Sequence, residues 1–268
     1  MGPIVNGAER DAVAEQFGVS IEQVERDHLI SHVLAFLETS VGDQIQFIGG
    51  TALARTHLPE GRLSEDIDLI ALGDRKSVAA ALDAALPRAL ARSHGRLTLE
   101  PALGSVASTA STILRSQSGL TVGVQLLSSR DRVVWPGERR ALVQRYTDTP
   151  AAELFVPTLP AFAASKTSTW ADRHSARDLW DLWALSGLGA IDRRAADLYR
   201  RHGPTNQPPT PGIFKSAPTD SEWRTQLAGQ THLTVSAQGA LNVVRDAWRA
   251  AVEMPDDQRE EGPLPYKR

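Results

Sequence analysis

The chain has 268 residues, 41% hydrophobic and 23% charged, enough for one large domain or two modest ones with a real core. Its net charge of −3 excludes a uniformly basic nucleic-acid binder, so such a partner needs a local basic groove. The absence of cysteine excludes disulfides, thiolate–zinc sites and a cysteine nucleophile. With no secretory signal and no run of about 18 apolar residues, the chain reads as soluble and cytoplasmic.

Ser20-Ile21-Glu22-Gln23 has the form of a capping box. The apolar residues after it (Ile21, Val24, Leu29, Val33, Phe36, Leu37) predict a helix ending near Val41-Gly42-Asp43. Gln44 to Ile48 predicts a short strand, and Thr51 to His57 a helix stopped by Pro59 and Gly61. Ile67 to Leu72 returns as a strand, and Lys76 to Ser93 as an Ala/Leu-rich helix. Leu97-Thr98-Leu99 reads as a strand edge, with Thr112 to Arg115 and Leu120 to Leu127 as a strand pair. Val133 to Tyr146 is interrupted by Trp135-Pro136-Gly137, and the mixture of helices and strands is expected to end near Pro150. Phe162 to Ser186 predicts one long amphipathic helical segment, 203–221 a Pro/Thr-rich linker or long loop, and Val235 to Glu253 a last helix before a charged tail. The expected division is an α/β core over 1–150 and a helical part over 151–268.

Gly49-Gly50-Thr51 and Ser64-Glu65-Asp66-Ile67-Asp68 carry the clearest chemistry. On a strand, residues i and i+2 share a face, so Asp66 and Asp68 point together, with Cα atoms roughly 6.5–7 Å apart. That spacing lets both carboxylates reach one magnesium ion, which favours a few carboxylate oxygens plus phosphates and water. Gly49-Gly50 admits close backbone approach, a following helix start offers N–H groups to phosphate, and Thr51 and Ser64 add hydroxyls.

Lys166, Arg173, Arg177 and Asp181 follow at offsets of 7, 11 and 15. At about 100° per residue these share one helical stripe, with Asp178 near its edge. Such a face suits a triphosphate, with Lys166 neutralising the leaving pyrophosphate; i,i+4 pairing such as Arg177–Asp181 is the plainer reading. His28 and His32 stand at i,i+4 outside any H-E-x-x-H pattern and read as packing or capping residues, not as a zinc pair. Arg130, Arg132, Arg139, Arg140 and Arg145 read as a solvated basic run that could touch RNA phosphates.

Taken together, these segments resemble the AbiEii/AbiGii toxin family of nucleotidyltransferases, which includes the MenT-type toxins. The similar segments are Ile21 to His28, Gly49 to Leu53, Arg62 to Leu69, Lys166, and Arg173 to Leu182. The resemblance implies an α+β fold: a polymerase-β-like core with a mixed sheet and flanking helices, joined to a helical C-terminal part. It implies magnesium-dependent transfer of a nucleotide from an NTP, for the MenT-type toxins to the 3′ end of tRNA, and a cognate antitoxin; the alternatives are a small-molecule or protein acceptor, or a catalytically weak nucleotide- or RNA-binding protein. Asp66 and Asp68 would hold the metal, Lys166 would be the motif lysine, and Asp178 or Asp181 the closing acid, with face geometry favouring Asp181. One departure concerns the third carboxylate usual on a neighbouring strand. Gln125 stands in the expected strand, Val122 to Leu126, so either Asp131 or Glu138 substitutes, or the chemistry relies on fewer acids, or the site is inactive.

Overall fold

The computed structural model describes residues 5–253. The charged tail expected after Glu253 lies outside them. Helix α1 (Gly7–Phe17) precedes α2 (Ile21–Val41), where Ser20 Oγ accepts the Gln23 N–H at 3.2 Å. The reciprocal half of the capping box does not form, because the Gln23 side chain turns to Arg26 instead. Helix α2 buries side chains around most of its circumference, which makes it a central element.

Strand β1 (Ile45–Ile48) leads directly into α3 (Gly49–Arg55), which starts two residues earlier than expected. Strand β2 (Asp66–Ala71), α4 (Arg75–Ala89), β3 (Thr98–Glu100), β4 (Ser111–Arg115) and β5 (Thr121–Ser128) follow. The five strands form one mixed sheet in the order β1-β2-β5-β4-β3, in which only β2 and β5 run parallel. Parallel pairing requires a crossover, and α4, β3 and β4 supply it. Ile67 and Leu69 are fully buried, so the alternation of β2 sends Asp66 and Asp68 to the other face.

Strand content continues past Pro150. Strands β6 (Gly137–Ala141) and β7 (Glu153–Pro157) pair antiparallel in a second sheet, and β7 packs beside β1. The buried Gln46 side chain on β1 joins the layers, donating to the Trp135 carbonyl at 2.7 Å and accepting its N–H at 3.2 Å.

The long helix expected over 162–186 is two helices, α5 (Leu159–Arg173) and α6 (Ala176–Gly187). His174 sits between them at φ 51°, a left-handed conformation that ends α5, and Ser175 restarts the chain as N-cap. Helices α7 (Arg193–His202), α8 (Asp220–Leu227) and α9 (Ala237–Glu253) complete the packing; α6 contacts α8 and α9, and α5 contacts α7. The first two of these fall in the part expected to be helical without having been placed individually, and α1 was not expected. Nor is 203–221 a bare linker: a 3-10 turn at Pro211–Phe214 buries Phe214 in a stack on Trp170, whose Nε1 donates to the Ile213 carbonyl at 2.8 Å.

Buried polar contacts fix how α3 and β2 meet the rest. Arg55 at the end of α3 donates to Asp27 Oδ1 on α2 at 2.8 Å, and Tyr146 Oη donates to Asp27 Oδ2 at 2.9 Å. Ahead of β2, Leu63 N–H donates to the Gln230 carbonyl at 2.9 Å and Thr231 Oγ1 to the Gly61 carbonyl at 2.8 Å. The loop entering the acid strand is thereby tied to the helical part. No helix among the described residues is long and apolar enough to cross a membrane.

Candidate active site

The two acids lie at the start of β2, where β5 presents Gly123 opposite Asp66 and Gln125 opposite Asp68, while β1 presents Ile48 opposite Asp68. Gly49 has φ +80°, and a side chain there would overlap the Asp68 carboxylate, so backbone and acid touch only because this residue is glycine. Gly123 has the same role toward Asp66. Gly50 lies against Arg62, where a Cβ would come 2.6 Å from a guanidinium nitrogen and 3.2 Å from Ser64 Oγ. Ser64 is buried at the same corner. The Thr51 hydroxyl is already engaged, donating to the Asp66 carbonyl. It therefore holds α3 onto β2 rather than standing free for a phosphate.

The electrostatics of this pair are unusual. Burial pushes the Asp68 carboxyl up to about 6, and the neighbouring Asp66 charge adds to the shift against Lys166, Arg173 and Arg177. Burial raises Asp66 as well, with Arg177 the first of the charges opposing it. Two carboxylates that resist joint ionisation form an oxygen-donor set that a divalent cation would relieve. The donor chemistry therefore fits magnesium.

The Lys–Arg–Asp residues do converge, although not on one helical stripe. The break at His174 folds α6 back beside α5. Lys166 Nζ donates to Asp181 Oδ2 at 2.7 Å and to Asp178 Oδ1 at 3.3 Å. Arg173 grips Asp178 through Nε at 2.6 Å and Nη2 at 3.0 Å. Arg62 grips Asp181 in the same two-pronged way, at 2.8 and 3.0 Å, and adds the Gln230 side-chain oxygen at 2.6 Å. Burial alone would raise Asp178, but Lys166 and Arg173 hold it down at about 2. Arg62 and Lys166 likewise hold Asp181 low against burial. The expected Arg177–Asp181 pair does not form. Arg177 makes no hydrogen bond or ion pair among the described residues, and its charge acts on Asp66 and Asp68.

Gln125, the residue expected in place of a third carboxylate, pairs in register with Asp68, and its Nε2 donates to the Thr109 carbonyl at 2.7 Å. The two substitutes are not in place. Asp131 follows the far end of β5, where Ala71 pairs with Ser128, and accepts from Ser108. Glu138 lies in the other sheet beside His57 and Arg140. The basic run also divides. Arg145 is half-buried and donates to the Ala54 and Pro59 carbonyls, whereas Arg139 and Arg140 pair with Asp43 and Glu138. Sequence reading gave Arg62 no role of its own, although it stands two residues before Ser64 in the same motif.

A family model described as "Nucleotidyl transferase AbiEii toxin, Type IV TA system" matches residues 35–257, spanning every one of these site residues. The chain belongs to this family of nucleotidyltransferase toxins. Among solved structures, MenT4, a nucleotidyltransferase toxin from Mycobacterium tuberculosis H37Rv, is similar with a TM-score of 0.67 and 20% identity, over 92% of this chain and 91% of that one. This likeness supports the mixed α+β fold. An antigenic nucleotidyltransferase-like protein from Paracoccidioides brasiliensis aligns at a TM-score of 0.38 and 17% identity over 59% of this chain and 76% of its own. No curated protein matches.

Proposed function

We propose that this AbiEii-family nucleotidyltransferase transfers a nucleoside monophosphate from an NTP to the 3′ end of tRNA, with magnesium held by Asp66 and Asp68. The carrying observation is the acid pair itself: two neighbouring carboxylates on one strand face, raised in pKa and touched by the Gly49 backbone. Magnesium on such a pair supplies charge neutralisation and alignment of the reacting oxygens.

The remaining roles fall to the chain's own groups. Gly49 lets the Asp68 carboxylate lie against the backbone and Gly50 leaves room for Arg62, which sets both groups at the start of α3 where the triphosphate would lie. Arg177 supplies positive charge to the triphosphate. Lys166 and Arg173 are held by Asp178 and Asp181, which fixes their positions beside the acids and extends a fixed positive field toward the leaving pyrophosphate. Asp178 and Asp181 are positioning residues in this scheme. Gln125 cannot accept the proton of the attacking hydroxyl and Asp68 is committed to the metal, so in this scheme that proton leaves to a solvent water. The acceptor end would lie between the strand-bearing core, which extends through β7, and the helices from α5 onward. The activity would be cytoplasmic and restrained by a cognate antitoxin.

Labelling tests this directly. Purified protein, magnesium and total tRNA are incubated with each α-labelled NTP in turn, beside Asp66→Ala. Label on tRNA from the active protein alone is the expected result. Label on another acceptor with none on tRNA would replace tRNA in this scheme, and no turnover with any NTP would reject the scheme itself.

A further inference from the structure

The second cluster of titratable side chains lies away from the acid strand. His28 and His32 are on α2, His94 follows α4, and Asp148 sits between β6 and β7. The i,i+4 spacing puts the first two rings on one helix face. His28 Nε2 is 3.3 Å from His32 Nε2 and 3.0 Å from Asp148 Oδ1, and His32 Nε2 is 3.4 Å from Asp148 Oδ2. On the other side of the ring, His28 Nδ1 faces His94 Nε2 at 3.2 Å, and His94 Nδ1 faces Ser93 Oγ at 3.0 Å. The three histidines are buried, while Asp148 is 48% exposed and opens the cluster to solvent.

Protons alone leave this triangle frustrated. If both Nε2 atoms carry hydrogen and donate to Asp148, the two N–H groups face each other at 3.3 Å. If only His28 carries it, the bare His32 nitrogen faces the carboxylate at 3.4 Å. A cation at the centre satisfies all three edges at once. For metal–nitrogen bonds of 2.0–2.1 Å, a tetrahedral site has ligand–ligand separations of about 3.3 Å, close to the 3.3 Å between the two rings and the 3.1 and 3.4 Å from Asp148 Oδ2 to His28 and His32. The remaining contacts then fit one set of tautomers. His28 ligates through Nε2 and donates Nδ1–H to His94 Nε2, and His94 Nδ1–H donates to Ser93.

We infer that His28 Nε2, His32 Nε2 and the Asp148 carboxylate form a site for a zinc-like transition-metal ion, with His94 orienting His28. Nitrogen-rich ligation selects zinc and its neighbours over magnesium, which separates this site from the all-oxygen acid pair. His94 Nε2 lies 3.2 Å from His28 Nδ1, in place to accept its proton. The ion would staple the segment before β7 to α2. That segment carries Tyr146, whose ring packs edge-on against His28 and whose hydroxyl bonds Asp27, the partner of Arg55 at the end of α3.

The test uses tag-free, full-length protein stripped with chelator, titrated with zinc by calorimetry and with cobalt(II) by visible absorption. Folded wild-type protein is expected to take one equivalent of zinc at this site and to give a cobalt d–d band. Asp66→Ala should leave both unchanged, so failure of the nucleotide-transfer reading is distinguishable from failure here. His32→Gln and Asp148→Asn should each weaken zinc binding by at least about 10- to 100-fold. No stoichiometric zinc binding by folded wild-type protein would overturn the site. So would wild-type affinity in both variants, which would leave the cluster held by hydrogen bonds alone.

Discussion

Two pairs of aspartates share the cations of this site, and their surroundings drive them in opposite directions. Asp66 and Asp68 are on a strand at i,i+2, Asp178 and Asp181 on a helix at i,i+3, and each spacing puts both carboxylates on one face. The strand pair is short of cations and is pushed up, Asp68 to about 6. The helix pair is wrapped by Lys166, Arg62 and Arg173 and is held down, Asp178 at about 2. A partly buried acid without a partner is a place where a cation or a proton can come and go. A buried acid with two partners is a joint, and here the joint fixes cations that the sequence pattern alone would offer wholly to the triphosphate.

The largest effects should divide along this line. Asp66→Asn and Asp68→Asn should each lower kcat by about 1000-fold or more, the loss of several kcal/mol of charge stabilisation. Neither should lower the melting temperature of metal-free protein, and Asp68→Asn should raise it. Asp181→Ala should instead leave Arg62 buried without its carboxylate and cost about 3–5 kcal/mol, a fall in melting temperature on the order of 10 °C. Thermal melts beside single-turnover labelling would check both. A strand-pair variant that unfolds, or a helix-pair variant that stays as stable as wild type, would erase the distinction.

Much of this site was legible because it rests on local periodicity. A period of 2 places Asp66 and Asp68 on one face without any knowledge of the sheet, and Gly49-Gly50 announces close backbone approach. The cation cluster was legible as a set of residues but not as a geometry. Extending a period of 3.6 through His174 assumed an unbroken helix, whereas one left-handed residue turned a stripe into a clasp. Arg62 and the His28–His94–Asp148 cluster depend on contacts across 119, 66 and 120 positions, which no pattern of spacing reports. Strand β7 was missed for a related reason: Glu153–Pro157 is too short to declare itself without β6.

The two pairs should also separate by pH. In metal-free protein Asp68 holds its proton more tightly folded than unfolded. Stability from this group is therefore full below its ordinary value of 3.8 and declines as pH rises to about 6. The decline is worth roughly 1–3 kcal/mol. Asp178 acts in the opposite sense, stabilising above 3.8 and losing that contribution as pH falls toward about 2. His94, held down at about 3, stabilises increasingly as pH rises from there toward 6.5 and so opposes Asp68 over part of its window. The readable quantity is thus the difference between wild type and Asp68→Asn in chemical denaturation from pH 4 to 7. It should widen with pH in favour of the variant and shrink when saturating magnesium is added. A difference independent of both pH and magnesium would mean that Asp68 is not strained by its charge.

The smallest effect is the finest test, because it separates two arginines four residues apart. Arg173 is spent on Asp178, whose carboxylate is wholly buried, so Arg173→Ala should cost stability first and activity as a consequence. Arg177 makes no hydrogen bond or ion pair among the described residues, yet its charge favours ionisation of both Asp66 and Asp68. Its charge is committed to no hydrogen bond or ion pair among the described residues, so it can act on whatever binds at the acids. Arg177→Ala should leave the melting temperature within a few degrees of wild type while raising KM for the NTP by about 10-fold, near 1.4 kcal/mol. It should also move the acidic limb of the rate profile to higher pH, because Asp68 loses one of the charges that offset its burial. Arg177→Lys should recover much of the affinity, since charge rather than fork geometry is what the position supplies. If KM stays put while kcat falls, Arg177 acts only on the acids and the triphosphate must be held elsewhere.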